Sequence, residues 1–380
     1  MKKITWLLAL TMVFGMLHAQ TSKEVFDAAL VPKAPLVAYM DGTGLENNPL
    51  VKALKPYLAE FEAAMAKNAA AMTGEQKKAK EFLETIKKDL ALKDDDAVKW
   101  QLSVSVGNMQ FSGGEPDLNM LDLVGVVELK TALTPDKVKA ALLDADKKCG
   151  NGDATDKADF NVAERGGAQL LSIDVKETDD TAEWPKELRN LRCAFVAGGK
   201  ILLFGTEKSV FAALDRIASK TPAEKNPYIQ RLFNDKEYAF LALGMLPQLK
   251  EFLSAQAAKG QDGDPNKAAA KAFVNADGVS FTMKHYDDKG TVSLNLDLGQ
   301  PEDAALLKGQ LWDGMIAPML PQFKPMIVGA LGGELPLVDT LKCTCDAKRM
   351  AITFDVKESD VKVVLNFLKT KAAPQGPAQE

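Results

Sequence analysis

The chain has 380 residues, with 47 basic and 52 acidic side chains and a formal net charge of −5 at pH 7. An acidic excess disfavours nucleic acids and anionic membrane surfaces as partners, because both are bound by clustered positive charge. A chain of this length can bury one large core or two medium ones.

Residues 1–19 predict a secretory signal peptide. Lys2 and Lys3 form a basic start, an apolar run follows, and Ala19 is a small residue at the cleavage position. The bulky Leu17, two residues earlier, leaves open an uncleaved N-terminal anchor, although the apolar run is short for a permanent bilayer span. We therefore expect a secreted or periplasmic bacterial protein with no membrane span once the signal is removed.

The first strand is predicted over residues 35–40 and runs into the sequence Asp-Gly-Thr, which starts at Asp41. Dehalogenase-like phosphatases carry their nucleophilic aspartate two residues before such a sequence, and this chain has Tyr39 there. A phenol cannot form an aspartyl-phosphate. We therefore interpret the glycine-containing stretch as a turn between a strand and a helix.

Two amphipathic helices are predicted next, because apolar residues recur at the spacing of one helical face: Val51, Leu54, Leu58, Phe61 and Met65 in the first, and Phe82, Leu83, Ile86 and Leu90 in the second. From Trp100 onwards apolar and polar residues alternate, which predicts antiparallel strands. The pair Gly198-Gly199 is predicted to be a two-residue hairpin turn that needs positive φ angles.

A strand that passes through a short acidic turn into a compact helix is predicted four times. These segments start at Leu123, Gly198, Gly290 and Arg349. Thr134, Thr206 and Ser359 are predicted to cap three of the helices, and acidic residues in the first turns suit the positive end of the helix dipole. We therefore assign these acidic residues to helix starts and not to catalysis.

The repeated segments predict an α+β fold built by internal duplication. Residues 34–58 resemble Lys236 to Leu253, since each segment is a strand, a short break and a helix. We predict two duplicated lobes, residues 30–222 and 235–371, each an antiparallel sheet covered by helices on one face. Residues 372–380, rich in proline and alanine, are predicted to be a disordered tail.

Export permits disulfides, and the four cysteines allow three pairings. Cys343 and Cys345 are two residues apart and share one face of a strand, so a bridge between them would be strained but possible. Cys149 and Cys193 would then form the other pair. The alternative is that some of the four remain free, buried thiols.

The sequence gives little support to a metal site or to a catalytic histidine. His285 is the only histidine after the predicted signal, and its place beside a turn favours a surface role. Two loops are rich in oxygen ligands: Asp153, Asp156 and Asp159 in one, and Asp262, Asp264 and Asn266 in the other. The second loop does not fit an EF-hand, because positions six and twelve counted from Asp262 are Lys267 and Phe273 instead of glycine and glutamate. We predict no cofactor, and a weak calcium site in these loops is the best metal candidate.

The segment from Leu311 to Leu331 is the most apolar part of the second lobe. Its large apolar residues lie at near-helical spacing and include Trp312, Met315, Met319, Phe323 and Met326. Methionine-rich helices can line adaptable apolar grooves, so this segment is the predicted site for an apolar ligand or peptide. Core packing between the lobes is the alternative.

Several stretches resemble a family of secreted bacterial proteins that is known only as a domain of unknown function. "LVPKAPLVAYMD" is similar to the family's Val-Pro opening and first strand, and "LALKDDDAVKWQLSVSVG" to its helix end, acidic turn and next strand. "CAFVAGGKILLFGTEKSVFAALDRI", followed by "KNPYIQRLFNDKEYAFLAL", is similar to its hairpin, helix and return strand. The resemblance implies a fold and export, and it implies no activity.

Three functions follow from these observations. We favour a non-enzymatic exported binding or interaction module, since no catalytic motif is present. A carboxylate-dependent hydrolase and a carrier of an apolar ligand in a cleft between the lobes are the alternatives. The expected partner is a protein or a small apolar ligand.

Overall fold

The computed structural model divides the chain into two compact units. The first unit comprises residues 1–43 and 73–230, and the second comprises residues 44–72 and 231–380. The structure describes residues 23–43, 48–67, 74–93, 96–112, 115–149, 158–178, 186–235, 239–244, 250–251, 254–255, 258, 265–285 and 289–372. The predicted signal peptide and the predicted tail beyond residue 372 lie outside these ranges.

In chain order the elements are α1 (Lys23–Ala28), β1 (Leu36–Asp41), α2 (Pro49–Lys67), α3 (Gly74–Asp89), β2 (Ala97–Ser112), β3 (Glu115–Leu129), α4 (Pro135–Cys149), β4 (Ala158–Arg165), β5 (Ala168–Val175), β6 (Asn190–Val196), β7 (Ile201–Thr206), α5 (Glu207–Ser219), α6 (Pro227–Asn234), β8 (Ala239–Gly244), α7 (Pro265–Val274), β9 (Ala276–His285), β10 (Lys289–Leu298), α8 (Pro301–Leu307), a π-helical segment (Lys308–Ile316), α9 (Ala317–Leu331), β11 (Lys342–Asp346), β12 (Arg349–Lys357) and α10 (Glu358–Ala372). Short 3-10 turns cover Lys186–Arg189, Ala197–Gly199 and Pro336–Thr340. The α+β class is confirmed.

The first unit is built on an antiparallel sheet with the strand order β1-β2-β3-β7-β6-β5-β4. Leu202 of β7 packs with α3 and α4 in the main core of this unit. Its neighbour Leu203, which points to the opposite face, is also fully buried, and α5 contacts β6 and β7. The prediction of helices on one face is therefore wrong for this unit. The continuous apolar run of β7 is typical of a strand that is buried on both faces.

The second unit contains an antiparallel sheet with the strand order β11-β12-β10-β9-β8. Helices α7 and α8 cover one end of it, where Ala272 and Leu307 join Leu298 and Met350 in a buried cluster. Burial of this cluster is a main source of the unit's stability, because apolar side chains are removed from water there.

Helix α2 belongs to the second unit, although the predicted first lobe, residues 30–222, includes it. It packs against α10, and the Lys362 ammonium of α10 lies 4.7 Å from the centre of the Tyr57 ring. Local periodicity predicts that residues 49–67 form an amphipathic helix, but it does not say which apolar surface the helix covers.

The four predicted strand-to-helix segments are present in the structure as β3–α4, β7–α5, β10–α8 and β12–α10. Their helix starts differ from the prediction in detail. Thr134 accepts a hydrogen bond from the backbone N–H three residues on (3.4 Å), whereas Thr206 makes no capping bond. Ser359 lies inside α10, and the Asp360 carboxylate instead accepts the Lys357 N–H at 2.8 Å. A charged acceptor binds such N–H groups more strongly than a hydroxyl does.

Candidate functional site

The most apolar segment of the second unit forms one continuous helical rod from Pro301 to Leu331, which contains α8, the π-helical segment and α9. The rod ends at Gly332, whose φ of 72° is the left-handed conformation that terminates many helices. Pro321 and Pro325 lie inside α9 and remove two of its backbone donors. π-helical turns are frequent at functional sites in proteins. The part of the rod that contains the π-helical segment and α9 is therefore the candidate site.

Four large apolar side chains line the outer side of the rod. Met315, Met319, Phe323 and Met326 are spaced by four, four and three residues, which places them on one helical face. Their exposed fractions are 52%, 39%, 42% and 67%. We call these four residues the methionine stripe. Trp312, the fifth residue of the predicted groove, is instead buried in the unit.

The other side of α9 is apolar as well. Leu320, Ile327 and Leu331 are half-buried, and no residue of α9 is fully buried. Lys324 is the only charged residue of this helix, and its ammonium is 2.6 and 2.7 Å from the two carboxylate oxygens of Asp339. A helix on a solvated surface normally carries charged and polar residues on its outer face, so α9 presents an unusual surface to water.

The sheet of the second unit also exposes apolar side chains. Leu241 on β8, Phe281 on β9 and Leu294 on β10 are directly opposite one another in the ladders, so they form a row on one face of the sheet. All three are exposed. Leu241 and Leu243 are two residues apart in β8, so the sequence places them on the same face of the strand. The sequence does not show whether other elements cover that face. This row is a feature that the sequence analysis did not single out.

All four cysteines are free thiols in the structure, so neither predicted pair is joined. Cys343 and Cys345 flank Thr344 in the extended strand β11. Two residues of a strand rise by about 6.8 Å, which is at the upper limit of the Cα separation in disulfides. Cys193 is buried in β6, and Cys149 is the last residue of α4.

We expect Cys193 to resist alkylation in the folded protein. Burial raises the pKa of its thiol to about 12, so well below that pH its reactive thiolate is about a thousandfold scarcer than for an ordinary thiol of pKa near 9. Iodoacetamide labelling at pH 8, followed by peptide mass spectrometry, measures this directly. The exposed Cys345 is the internal control. Labelling of Cys193 at the rate of Cys345 without denaturant would contradict the expectation.

The Asp-Gly-Thr stretch after β1 forms a local turn. The Asp41 carboxylate accepts the backbone N–H of Thr43 at 3.0 Å and the Lys99 ammonium at 3.0 Å. Burial raises the pKa of Asp41, but the hydrogen bonds from Thr43 and Lys99 outweigh it and hold the pKa below its usual value. Burial likewise raises the pKa of the neighbouring Tyr39. A carboxylate held charged by these partners is suited to a structural role and poorly suited to proton transfer.

A cavity of about 520 Å³ in the first unit lies between α3 and α4, with Asp89, Lys137 and Asp144 in its wall. The hydrogen bond from Lys148 is the main cause that lowers the pKa of Asp144. A carboxylic acid that donates a proton in hydrolysis needs a raised pKa instead. The cavity therefore gives the hydrolase hypothesis no support from this carboxylate.

Within the part of the chain that the structure describes, no group of three or more His, Cys, Asp or Glu side chains could hold a metal. Asp153, Asp156, Asp262 and Asp264 of the predicted calcium loops lie outside the described residues. Asp159 is described, and its carboxylate is 3.3 Å from the Lys176 ammonium. The described helices include none that is both long and apolar enough to cross a membrane.

Comparisons with known proteins are sparse. No family model and no curated protein matches the chain. Crystal forms I, III and IV of TP0453 are 9%, 9% and 10% identical to it, with TM-scores of 0.36, 0.36 and 0.34. The matches cover 90% of this chain and 96%, 97% and 96% of the TP0453 chains. TM-scores of this size carry no argument about fold or function, and the resemblance to secreted bacterial proteins of unknown function stays a prediction.

Proposed function

We propose that the protein is an exported interaction protein without catalytic activity, and that the methionine stripe of its second unit docks an amphipathic helix of a partner polypeptide. The observation that carries the proposal is the exposure of Met315, Met319, Phe323 and Met326 on one face of a helix. Adjoining apolar side chains that are exposed to water mark interaction sites in soluble proteins.

The composition of α9 supports a partner that covers it. Its half-buried side, with Leu320 and Ile327, faces the rest of the second unit, where α9 contacts α10, so the stripe is a second apolar side of the same helix. A helix that is apolar all round is stable only when both sides are removed from water. Since Lys324 is occupied by Asp339, no free charge on α9 would select a charged partner.

The shape of the stripe favours a helix over a small ligand. Small apolar ligands need a concave pocket that buries most of their surface, whereas the outer face of a helix is convex. A second helix can lie alongside such a face, with side chains that interdigitate at three- and four-residue spacing. Methionine is flexible and can adapt to the side chains of the partner. These arguments favour an interaction module over the apolar carrier.

The exposed row of Leu241, Phe281 and Leu294 gives the second unit further apolar surface. In the first unit Val162 has a comparable exposure. Export, to the periplasm or beyond the cell, is supported by the basic and apolar N-terminal sequence that ends at Ala19.

Photo-crosslinking tests the proposed interface. The protein is expressed in its own cell envelope with a benzophenone amino acid in place of Met319, and in a control in place of the exposed Lys348. We expect position 319 to crosslink to one partner polypeptide, at a peptide whose apolar residues recur at helical spacing. The variant Met319→Glu/Phe323→Glu should weaken the isolated complex by on the order of a hundredfold, because it buries unpaired charge.

The matched control is Val162→Glu, which makes the same kind of change at an exposed apolar residue of the first unit. It should leave binding unchanged. Crosslinks at position 319 that lead only to lipid, or only to a second copy of the chain, would overturn the proposal. Equal weakening by the control variant, or crosslinking at Lys348 as strong as at Met319, would do the same.

We also infer that the two units arose by duplication. In each unit an antiparallel hairpin leads directly into a helix, as β2–β3–α4 in the first and β9–β10–α8 in the second. The same order of elements supports a common ancestor. A strand-by-strand superposition of these two segments in experimental structures tests the inference, and different registers of the two hairpins would count against it.

A further inference from the structure

The hairpin of β11 and β12 brings three sulfur-containing side chains onto one face. Cys343 and Cys345 point the same way, because they are two residues apart in a strand. Met350 of β12 is directly opposite Cys345 in the ladder. Side chains at directly opposite positions have Cβ atoms about 5 Å apart, so a thioether and two thiols lie within reach of one another.

The three sulfur-containing side chains differ in their exposure to water. Met350 belongs to the buried cluster of the second unit, Cys343 packs against that cluster, and Cys345 is exposed. Strand β11 is the last strand at its end of the unit's sheet, so Cys345 can be reached from water. A small ion could therefore enter at Cys345 and meet a drier, apolar floor at Met350.

One cation is held close to the two thiols. The Lys308 ammonium, on the π-helical segment, interacts electrostatically with both Cys343 and Cys345. Its position is fixed by Asp313, whose carboxylate oxygens are 2.7 and 3.0 Å from the ammonium nitrogen. Burial nevertheless raises the pKa of the Cys343 thiol, because the ammonium opposes only part of that effect.

We propose that Cys343, Cys345 and Met350 form a binding site for one copper(I) ion. Thiolate and thioether sulfurs are soft ligands, and this combination selects copper(I) over harder ions. A structural zinc site instead needs four ligands in a tetrahedron. Among the described residues no third His, Cys, Asp or Glu side chain joins the two cysteines to complete such a set.

Binding of copper(I) by the two thiols conserves both charge and protons. As the ion binds, each of the two thiols releases one proton to water, and a copper–sulfur bond forms in its place. No electron is transferred. The ion and two thiolates together carry one excess negative charge. The site is separate from the methionine stripe, so it stands or falls independently of the proposed partner.

The test uses the full chain, reduced and kept under nitrogen, titrated with copper(I) in competition with bicinchoninate. We expect one ion per chain to be withdrawn from the chelator. Cys343→Ser and Cys345→Ser should each abolish this, and Met350→Leu should weaken it by about tenfold or more, the scale on which supporting groups affect metal affinity. Leucine replaces methionine in a core at little cost in stability, so the loss would not reflect unfolding.

Two matched controls accompany these variants. Cys149→Ser removes a thiol of the first unit, and Met326→Leu removes a thioether from the methionine stripe; both should bind copper(I) as the wild type does. Failure of the wild type to withdraw copper(I), or binding that survives both serine variants at Cys343 and Cys345, would overturn the proposal. Zinc(II) binding of equal strength that is indifferent to Met350→Leu would overturn the assignment of the ion and of the thioether.

Discussion

Replacement of Arg349 by leucine should lower the free energy of unfolding of the second unit by about 3–5 kcal/mol, the usual cost of breaking a buried ion pair by removing one partner. The Arg349 guanidinium donates to both carboxylate oxygens of Asp297, at 2.9 and 3.0 Å, and to Asp235 at 3.2 Å. Arg349 and Asp297 are both buried. Without the guanidinium, the Asp297 carboxylate would lose both of these charge-assisted bonds in a place with little access to water.

Arg231 offers a matched control in the same cluster. Its guanidinium is 3.7 Å from Asp297 and 3.0 Å from Asp346, but its side chain is 31% exposed. Water can replace much of what this side chain provides. Arg231→Leu should therefore cost about 1 kcal/mol or less, as exposed ion pairs do.

Urea unfolding combined with hydrogen exchange of the β10 and β12 amides measures both variants. The double variant Arg349→Leu/Asp297→Leu should recover much of the stability lost in Arg349→Leu, because it removes the uncompensated carboxylate together with its partner. Equal losses for Arg349→Leu and Arg231→Leu, or no recovery in the double variant, would show that the buried pair is not the source of the effect.

Replacement of Gly199 by alanine should destabilise the first unit by roughly 3 kcal/mol or more, the sum of a left-handed backbone penalty and the cost of forcing packed atoms apart. Gly199 lies in the turn between β6 and β7 with a φ of 85°. A Cβ atom there would be 2.0 Å from the backbone carbonyl oxygen of Leu133. That oxygen cannot move easily, because the Leu133 N–H also donates to the Gly199 carbonyl at 2.9 Å.

Gly198 separates the two contributions. Its φ is 67°, but no atom lies within 4 Å of the place where its Cβ would be. Gly198→Ala should therefore carry only the backbone penalty, about 1–2 kcal/mol. Thermal or urea unfolding of the two single variants measures the difference, and hydrogen exchange in β6 and β7 locates it. Equal costs at the two positions would contradict the predicted clash with Leu133.

The positive φ angles at Gly198 and Gly199 and the four strand-to-helix segments were predictable from the sequence. The predicted two-residue length of that turn is wrong, because Val196 pairs with Ile201 and four residues connect the strands. Glycine pairs identify turns with positive φ, and the change from a two-residue to a four-residue apolar spacing identifies where a strand gives way to a helix. Tyr39 in place of an aspartate likewise argued against phosphatase chemistry. In each case the signal lies within a few residues of the feature that it predicts.

The helix caps show where local signals stop being sufficient. The pattern at the start of α10 predicts a Ser359 cap, yet it is Asp360 that accepts the backbone N–H of Lys357, just before the helix, and that of Leu337, 2.9 Å away. The second bond comes from a residue 23 positions earlier in the chain. Such a partner is invisible to any pattern that spans one helical turn.

The sequence by itself determined the first strand, the four strand-to-helix segments, the α+β class and the apolar character of the segment around Met319. Only the tertiary structure decided that α2 packs in the second unit, that β7 is buried on both faces, that Trp312 is buried while Met319 is exposed, and that Met350 faces Cys345. Periodicity records which side of an element is apolar, because that depends on residues three or four positions apart. What covers that side depends on contacts between residues far apart in the chain, and these follow from packing the whole unit.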